Sequence, residues 1–421
     1  MNILLTTRRE PAECRNPIAI LDLAAYLRNF GHTVDCYYLD QIQTGRHTNR
    51  NRYDLVGLSV LQVVDEKQPF RDAMYLRRRF CSEVVVGGKW TRSITENQKR
   101  YLKNHGFNLH LGPGEHYFVD REIDYATYPS WHRVDFHTLN DVRSDIMSTR
   151  GCPYHCHFCH NTEKKVSFFS PKRTVDNIEL LFNLGVSRIS FCDDIFTLNL
   201  AHMEAVYNEL KGRAIPIENR TEFFAHINHI NQGMIGWIRK YRPFQVNVGV
   251  ESGDDRMLKL MGKGFDSETA YGKLKMLHEE TGVPIGTLFL IGFPGETEES
   301  LQNTLNFLKR IRTFAGNWVS YYQPIPGTKG YDMAVERNRH TKAGRRNMHI
   351  SYVDPNLTRK TLFIYNYRMM DYSPSDNLRR KVIYMLIEIL PCWLLERLRI
   401  IRQRIRLRKY TDSYLNAAEA N

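Results

Sequence analysis

Three cysteines within eight residues are where this sequence can do chemistry. Cys152, Cys156 and Cys159 stand in Arg150-Gly-Cys-Pro-Tyr-His-Cys-His-Phe-Cys-His160, with spacing C-x3-C-x2-C. Thiolates bind soft and redox-active metals, and three on one tight loop can hold three corners of a cubane iron–sulfur cluster. The fourth iron is then left without a protein ligand and open to a chelating small molecule. A zinc site completed by His155, His157 or His160 is the other chemistry this stretch permits. The remaining cysteines, Cys14, Cys36, Cys81, Cys192 and Cys392, are scattered. That layout suits a reducing compartment with one metal or redox site, not a disulfide framework.

A cluster loop needs elements to hold it, and the hydrophobic pattern supplies them. From residue 1 to about 120, apolar strands alternate with amphipathic helices. Ile3–Thr6, Val34–Leu39, Asp54–Leu61 and Glu83–Gly88 read as strands, Ile18–Phe30 and Ala73–Phe80 as helices. Such alternation predicts a Rossmann-like, doubly wound parallel sheet, whose ligands sit at the carboxyl ends of the strands. Ser59, Gly87 and Gly88 occupy those ends. Residues 121–145, broken at Tyr128-Pro-Ser-Trp131, read as a linker. From 146 to about 335 the alternation resumes as a βα repeat of the TIM type, full or partial. Residues 336–421 read as a helical C-terminal region.

The chain has 421 residues, 59 Lys+Arg against 46 Asp+Glu, and a net charge of +13. With 42% hydrophobic and 25% charged residues it is an ordinary globular composition, which excludes wholesale disorder. The stretch Val382–Ile401 is apolar but broken by Glu388, Pro391, Glu396 and Arg397, so it fails as a spanning helix. Arg397, Arg399, Arg402, Arg404, Arg406, Arg408 and Lys409 follow with no acid among them. They read as a solvated helix face or as an interfacial helix attracted to anionic lipid. Nothing at the N-terminus has the length of a signal peptide, so a cytoplasmic protein, peripheral to membrane at most, is expected.

The cysteine run with Phe158 before its last cysteine resembles the signature of the radical S-adenosylmethionine (SAM) enzymes. Four further stretches resemble motifs of the subgroup carrying an N-terminal cobalamin (B12)-binding-type domain: Phe191-Cys-Asp-Asp-Ile-Phe-Thr-Leu-Asn199, Gly249-Val-Glu-Ser-Gly-Asp-Asp-Arg256, Phe289-Leu-Ile-Gly-Phe-Pro-Gly-Glu-Thr297 and Pro324-Ile-Pro-Gly-Thr328. They fall in order at predicted strand ends. The resemblance implies a [4Fe-4S] cluster on Cys152, Cys156 and Cys159, with SAM chelating the open iron. It implies Phe158 near the adenine, Asp193 and Asp194 at the methionine ammonium, and Glu251 and Ser252 at the ribose or amino-acid part. Gly292 to Glu296 would line the adenine by backbone. Each has a plainer reading: Asp193 or Asp194 as helix caps, Glu251-Ser-Gly as a strand–loop turn.

In the subgroup the N-terminal domain can hold cobalamin at its strand ends, where Ser59, Gly87 and Gly88 stand here. This chain departs from that pattern. It has no D-x-H-x-x-G motif, Pro17-Ile-Ala replaces the usual Pro-x-Gly, and Lys89-Trp90 follows the glycine pair. Bulky Trp90 is expected to fill a corrin site, so cobalamin binding is left open.

The leading expectation is an enzyme that abstracts hydrogen from a small molecule, of secondary-metabolite, sugar or lipid-like type. Cobalamin-assisted methylation and dehydration, epimerisation or cyclisation are the competing outcomes. Tyr321, Tyr322, Gln323 and His226, at strand ends, are acid–base or hydrogen-donor candidates, and so is Cys192. A flavodoxin- or ferredoxin-type reductant is implied, and no nucleic-acid partner is expected. A methylthiotransferase acting on transfer RNA and a non-catalytic iron–sulfur electron carrier are the alternatives.

Overall fold

A computed structural model of the chain describes residues 1–8, 17–45, 52–60, 67–131, 133, 143–160, 163–338, 350–370, 390, 391 and 394. The chain forms two compact units. One comprises Met1–Pro153 and Thr162–Arg220, the other Tyr154–Asn161 and Thr221–Asn421. Cys14, Cys392 and the basic run 397–409 lie outside the described residues.

The first unit opens on β1 (Asn2–Thr7), α1 (Ile18–Asn29), β2 (Thr33–Tyr38), α2 (Leu39–Gln43), β3 (Leu55–Ser59), α3 (Gln68–Phe80), β4 (Glu83–Gly87), α4 (Glu96–Asn104) and β5 (Asn108–Leu109). All five strands are parallel, in the order β2-β1-β3-β4-β5. Four are the strands the apolar runs predict. The fifth is two residues long, too short to leave a hydrophobic run in the sequence. This order places the topological switch point, the ligand crevice of such sheets, between β1 and β3. Ser59 stands there, in register with Thr7, whose hydroxyl donates to the Ser59 carbonyl at 2.9 Å.

The glycine pair is explained in part by packing. Gly88 has φ +93°, and a Cβ there would come within 2.7 Å of the Val60 backbone. Only glycine allows that approach. A Cβ at Gly87 would meet nothing closer than the His110 carbonyl at 4.0 Å, so Gly87 borders open space.

Trp90 corrects an expectation. Its ring does not fill a ligand site at the strand ends but belongs to the core beneath α3 and α4, with Val56, Val86, Leu76 and Leu102. It is 9% exposed and stands edge-on to Phe70, ring centroids 6.0 Å apart. A large aromatic is stabilised more by burying its area than by lining a wet crevice. Its removal would hollow the core rather than clear a corrin site.

The rest of the first unit begins the βα repeat. β6 (Arg143–Ile146) pairs in parallel with β9 (Arg188–Phe191). Between them the short arms β7 (Thr149–Arg150) and β8 (Ser167–Phe168) pair antiparallel and bracket the cysteine loop. α5 (Pro171–Asn183) and α6 (Leu200–Gly212) complete it. Ser170 caps α5 by accepting from the Arg173 N–H, with Pro171 at its first position, and Asn199 caps α6. Within this unit a buried ion pair ties α1 to α5. Arg173 donates to Asp22, which also accepts from the Trp131 indole at 2.7 Å, and the guanidinium lies 3.9 Å from the centre of the Phe169 ring.

The second unit continues the repeat as β10 (Thr221–Ala225), α7 (Gln232–Tyr241), β11 (Gln245–Glu251), α8 (Asp255–Leu260), α9 (Ser267–Thr281), β12 (Ile285–Ile291), α10 (Glu298–Ile311), β13 (Ala315–Tyr321), α11 (Lys329–Arg337) and α12 (Arg359–Met370). Its strands run parallel in the order β10-β11-β12-β13. Asn231, Asp254, Asp266, Thr297 and Thr328 cap the helices that follow the strand-end loops. These caps fix where each loop stops, and therefore where each loop residue stands. α12 lies along β13. Asn366 donates to the Val319 carbonyl at 3.1 Å and Asn317 to the Met369 carbonyl at 3.0 Å. A helix thus takes up polar groups of an edge strand that a closed barrel would satisfy with another strand. Among the described residues no helix is long and apolar enough to cross a membrane.

Candidate active site

The cysteine loop is braced at both ends. In the first unit, the Cys152 N–H donates to the Glu163 carbonyl at 2.9 Å, continuing the β7–β8 pairing. Gly151 has φ +95°, and a Cβ there would collide with the Lys165 carbonyl. In the second unit, His157 is a strut. Its N–H donates to the Met261 carbonyl at 2.9 Å, its Nδ1 to the Leu260 carbonyl at 2.7 Å, and its own carbonyl accepts from the Gly330 N–H at 2.7 Å. Tyr154 stacks on His226 with ring centroids 4.0 Å apart, and its hydroxyl meets His229 Nε2 at 2.9 Å. Phe158 packs on the cluster of Met257, Met261, Phe293 and Tyr322.

Asp193 is buried at the end of β9, but it is tied to its own unit. Its Oδ1 accepts from the backbone N–H and hydroxyl of both Ser148 and Thr149. It therefore fixes the strand that leads into the cysteine loop. Its Oδ2 is buried with no partner, and burial pushes the carboxyl up to about 6 against those bonds. The next residue, Asp194, is exposed. Neither caps α6, because Asn199 does.

Glu251 ends β11 at φ +76°, where the register with β12 shifts by one residue. This backbone conformation is costly outside glycine and is tolerated where a side chain must be aimed. The carboxylate folds over Gly249, where a Cβ would stand 2.5 Å from Glu251 Oε1, and faces Lys263 Nζ at 3.6 Å. Lys263 is 4% exposed and lies 6.0 Å from the Phe158 ring centre and 5.4 Å from that of Phe265. Burial raises the Glu251 carboxyl, and Lys263 pulls it back. Sequence reasoning missed Lys263; a lysine between two glycines after a short helix carries no specific signal. The Ser252 hydroxyl meets Thr304 Oγ1 at 3.0 Å and accepts from the Asp254 N–H at 3.1 Å, so it organises the β11–α8 turn.

The Gly292–Glu296 loop is stapled twice. Gly292 has φ +82°, and its N–H donates to Glu296, which is fully buried. On the other side the Gly295 N–H donates to Asp354 Oδ2 at 2.7 Å. Asp354, also fully buried, further accepts from Arg337 Nε at 2.5 Å and from the Tyr352 hydroxyl at 3.1 Å. No pattern in the sequence links residue 354 to residue 295; the contact spans 59 positions.

Burial pushes the Glu296 carboxyl up to about 8, against donation from the Gly292 and Phe293 N–H groups. In the unfolded chain the same carboxyl ionises near 4.5. Between those values the folded chain holds the extra proton, so this contribution to stability falls as pH rises and is lost above about 8. Thermal unfolding followed from about pH 6 to about pH 9 should show the decline, and Glu296→Gln should flatten it. An equal slope in both proteins would count against a neutral Glu296.

Of the acid–base candidates, His226 is 6% exposed. Its Nδ1 accepts from the Asn228 N–H at 3.2 Å, which leaves the proton on Nε2, a buried atom without a partner. Burial pushes this imidazole down to about 3, so it is neutral at working pH. The Gln323 side chain is engaged by the Ser351 hydroxyl at 2.5 Å. Tyr322 packs between Phe293 and Tyr352, Tyr321 is buried, and Cys192 is half-buried.

Residues 146–308 match the model of the radical SAM superfamily. The chain carries a radical SAM domain. The family's cofactors are a [4Fe-4S] cluster and SAM, and the donor set here, three thiols on one loop, is that of such a cluster. An uncharacterised methyltransferase of Pyrococcus horikoshii is 27% identical over 233 residues, 52% of this chain and 48% of that protein. A tRNA-2-methylthio-N(6)-dimethylallyladenosine synthase of Rickettsia rickettsii is 23% identical over 297 residues, 62% of this chain and 64% of its own. The chain thus spans about half to two thirds of these relatives' lengths. Among solved structures, the radical SAM methyltransferase TsrM from Kitasatospora setae, with tryptophan and a SAM analogue bound, has a TM-score of 0.66 at 16% identity, covering 88% of this chain and 89% of that one. The cobalamin-dependent radical SAM enzyme OxsB, with aqua-cobalamin and SAM bound, has a TM-score of 0.62 at 15% identity, covering 80% and 55%. The chain therefore has the fold of these enzymes: a Rossmann-like sheet and a partial βα barrel, followed by the helix α12.

Proposed function

We propose that the protein is a cobalamin-dependent radical SAM methyltransferase acting on a small organic molecule. One observation carries the reading: the 2-1-3-4-5 sheet and the radical SAM domain occur together in one chain that aligns with nearly the whole of TsrM. The methyltransferase relative from Pyrococcus supports the reaction type. When bound, the cluster with SAM supplies reductive sulfonium cleavage and hydrogen abstraction, and cobalamin supplies a methyl carrier.

The chain's own residues bind, orient and exclude. Cys152, Cys156 and Cys159 would hold the cluster. Glu251, its backbone bent to aim it, is suited to accept hydrogen bonds from hydroxyls or an ammonium, with Lys263 balancing its charge. Phe158 and the Gly292–Glu296 loop offer an apolar face and fixed backbone for the adenine, with water kept out by Met257, Met261 and Phe293. Asp193, whose Oδ2 is still unpartnered, sets the approach of the loop and keeps one acceptor for an ammonium. His226 offers a neutral Nε2–H to an acceptor oxygen of the substrate. Ser59 at the switch point and the open side of Gly87 are where a corrin would lie.

The test is anaerobic reconstitution with iron, sulfide and hydroxocobalamin. About four irons per chain, 5′-deoxyadenosine or S-adenosylhomocysteine on reduction, and a bound-corrin spectrum are expected. Cluster without corrin would defeat the methyl-carrier part. The relatives that modify transfer RNA motivate one further arm, in which methylthiolation of a tRNA would displace the small-molecule reading.

A further inference from the structure

We propose that Glu115 of the N-terminal domain is a positioning residue for the cluster loop, acting through Arg150. The inference rests on the reading of the cysteine loop as the cluster-binding loop. Arg150 is the last residue of β7, two positions before Cys152. Its guanidinium lies between two carboxylates. Nη1 faces Glu115 Oε1 at 3.4 Å, and Nε faces Glu163 Oε2 at 3.2 Å. Glu163 sits on the returning limb of the loop, and its carbonyl takes the Cys152 N–H. Glu115 lies in the short 3-10 turn Gly114–Tyr117 that follows β5, is 3% exposed and accepts from the Tyr128 hydroxyl at 2.5 Å. The Tyr125 ring covers Arg150, its centre 5.4 Å from the guanidinium carbon. All of these groups belong to one compact unit.

This arrangement makes the Rossmann sheet's last turn part of the base of the cluster loop. A half-buried cation that loses one of two carboxylates must move toward the other or toward water, because an unpaired buried charge is costly. Either movement pulls on the backbone between Arg150 and Cys152. Gly151 packs at φ +95° where a side chain would run into the Lys165 carbonyl, so the backbone between them has little room to shift toward the returning limb. Removing the Glu115 charge therefore changes where the first thiol stands, without touching a thiol. Groups that orient metal ligands from behind typically change metal affinity about 10- to 100-fold when replaced.

The experiment compares Glu115→Gln with Tyr128→Phe in the full-length, reconstituted protein. Glu115→Gln keeps the shape and deletes the charge. Tyr128→Phe deletes the other bond to the same carboxylate and keeps the ion pair. Iron loss to an added chelator is expected to be about ten-fold faster in Glu115→Gln, with shifted g-values of the reduced cluster. Tyr128→Phe should lose iron at the wild-type rate even where its melting temperature falls. Iron loss that tracks melting temperature in both variants, or an unchanged rate in Glu115→Gln, overturns the proposal. If Glu115→Gln does not fold, Arg150→Lys is read the same way, since it keeps the charge and loses the fork; a wild-type rate there is equally fatal. A wild-type protein that takes up no iron instead removes the cluster reading itself, so the two failures are distinct.

Discussion

Cys156→Ala is expected to abolish 5′-deoxyadenosine release from SAM under strong reductant, with iron content falling well below that of the wild type. Cys156 is the middle of three thiols on a loop with no other thiol within reach in the sequence. The neighbouring histidines do not make good the loss. His157 has its Nδ1 on the Leu260 carbonyl and its backbone on Met261 and Gly330, so turning it into a ligand would undo the strut that holds the loop. A substitute oxygen or imidazole would also present a harder donor than the cluster's irons favour. The measurement is quantified 5′-deoxyadenosine alongside iron per chain. A rate within about ten-fold of wild type would be a smaller loss than replacing an ordinary outer partner causes and would show that Cys156 is not a ligand.

The second large effect concerns folding. Asp22→Asn should destabilise the chain by about 3–5 kcal/mol, read as a shift of the urea midpoint without a change in slope. The Arg173 side chain is 2% exposed, and Asp22 is the carboxylate paired with it in the buried bridge. Its remaining supports are the Met147 carbonyl at 3.0 Å, the Pro129 carbonyl at 3.5 Å and the faces of Phe169 and Tyr128. Neutralising Asp22 leaves a buried cation uncompensated, which is the expensive way to break such a pair. Burial already raises the Asp22 carboxyl, with Arg173 and the Trp131 indole pulling it back, so the site lies close to the balance of these terms. Replacing both partners, Asp22→Leu with Arg173→Met, should recover most of the loss. If the double variant is no better than the single one, the cost is one of packing. The same pair makes a practical prediction for truncation: cutting away α1 removes the counter-charge of α5.

Much of the architecture was legible along the chain. The apolar runs of β1 and β4 leave continuous buried stretches, and the strands of the βα repeat show alternating burial, so both are readable as a period. β5 was not legible, because two residues cannot show a period. Trp90 misled for a related reason: bulk next to a glycine pair says that a ring must go somewhere, not on which side of the sheet. The cysteine spacing and the strand-end motifs carried the family, since loop residues at strand ends are read directly by ligands and tolerate few alternatives.

The residue types that can do chemistry, their order and the folds that carry them are properties of local sequence, for hydrophobic period and loop chemistry act over a few residues at a time. What holds those residues in place depended on the tertiary structure. Asp193 locking Ser148 and Thr149, Lys263 against Glu251, Asp354 under Gly295 and Glu115 behind Arg150 are contacts between groups 12 to 59 positions apart. A buried charge takes whichever partner the packed chain brings within reach, and that choice is made by the whole fold and not by its neighbours in sequence.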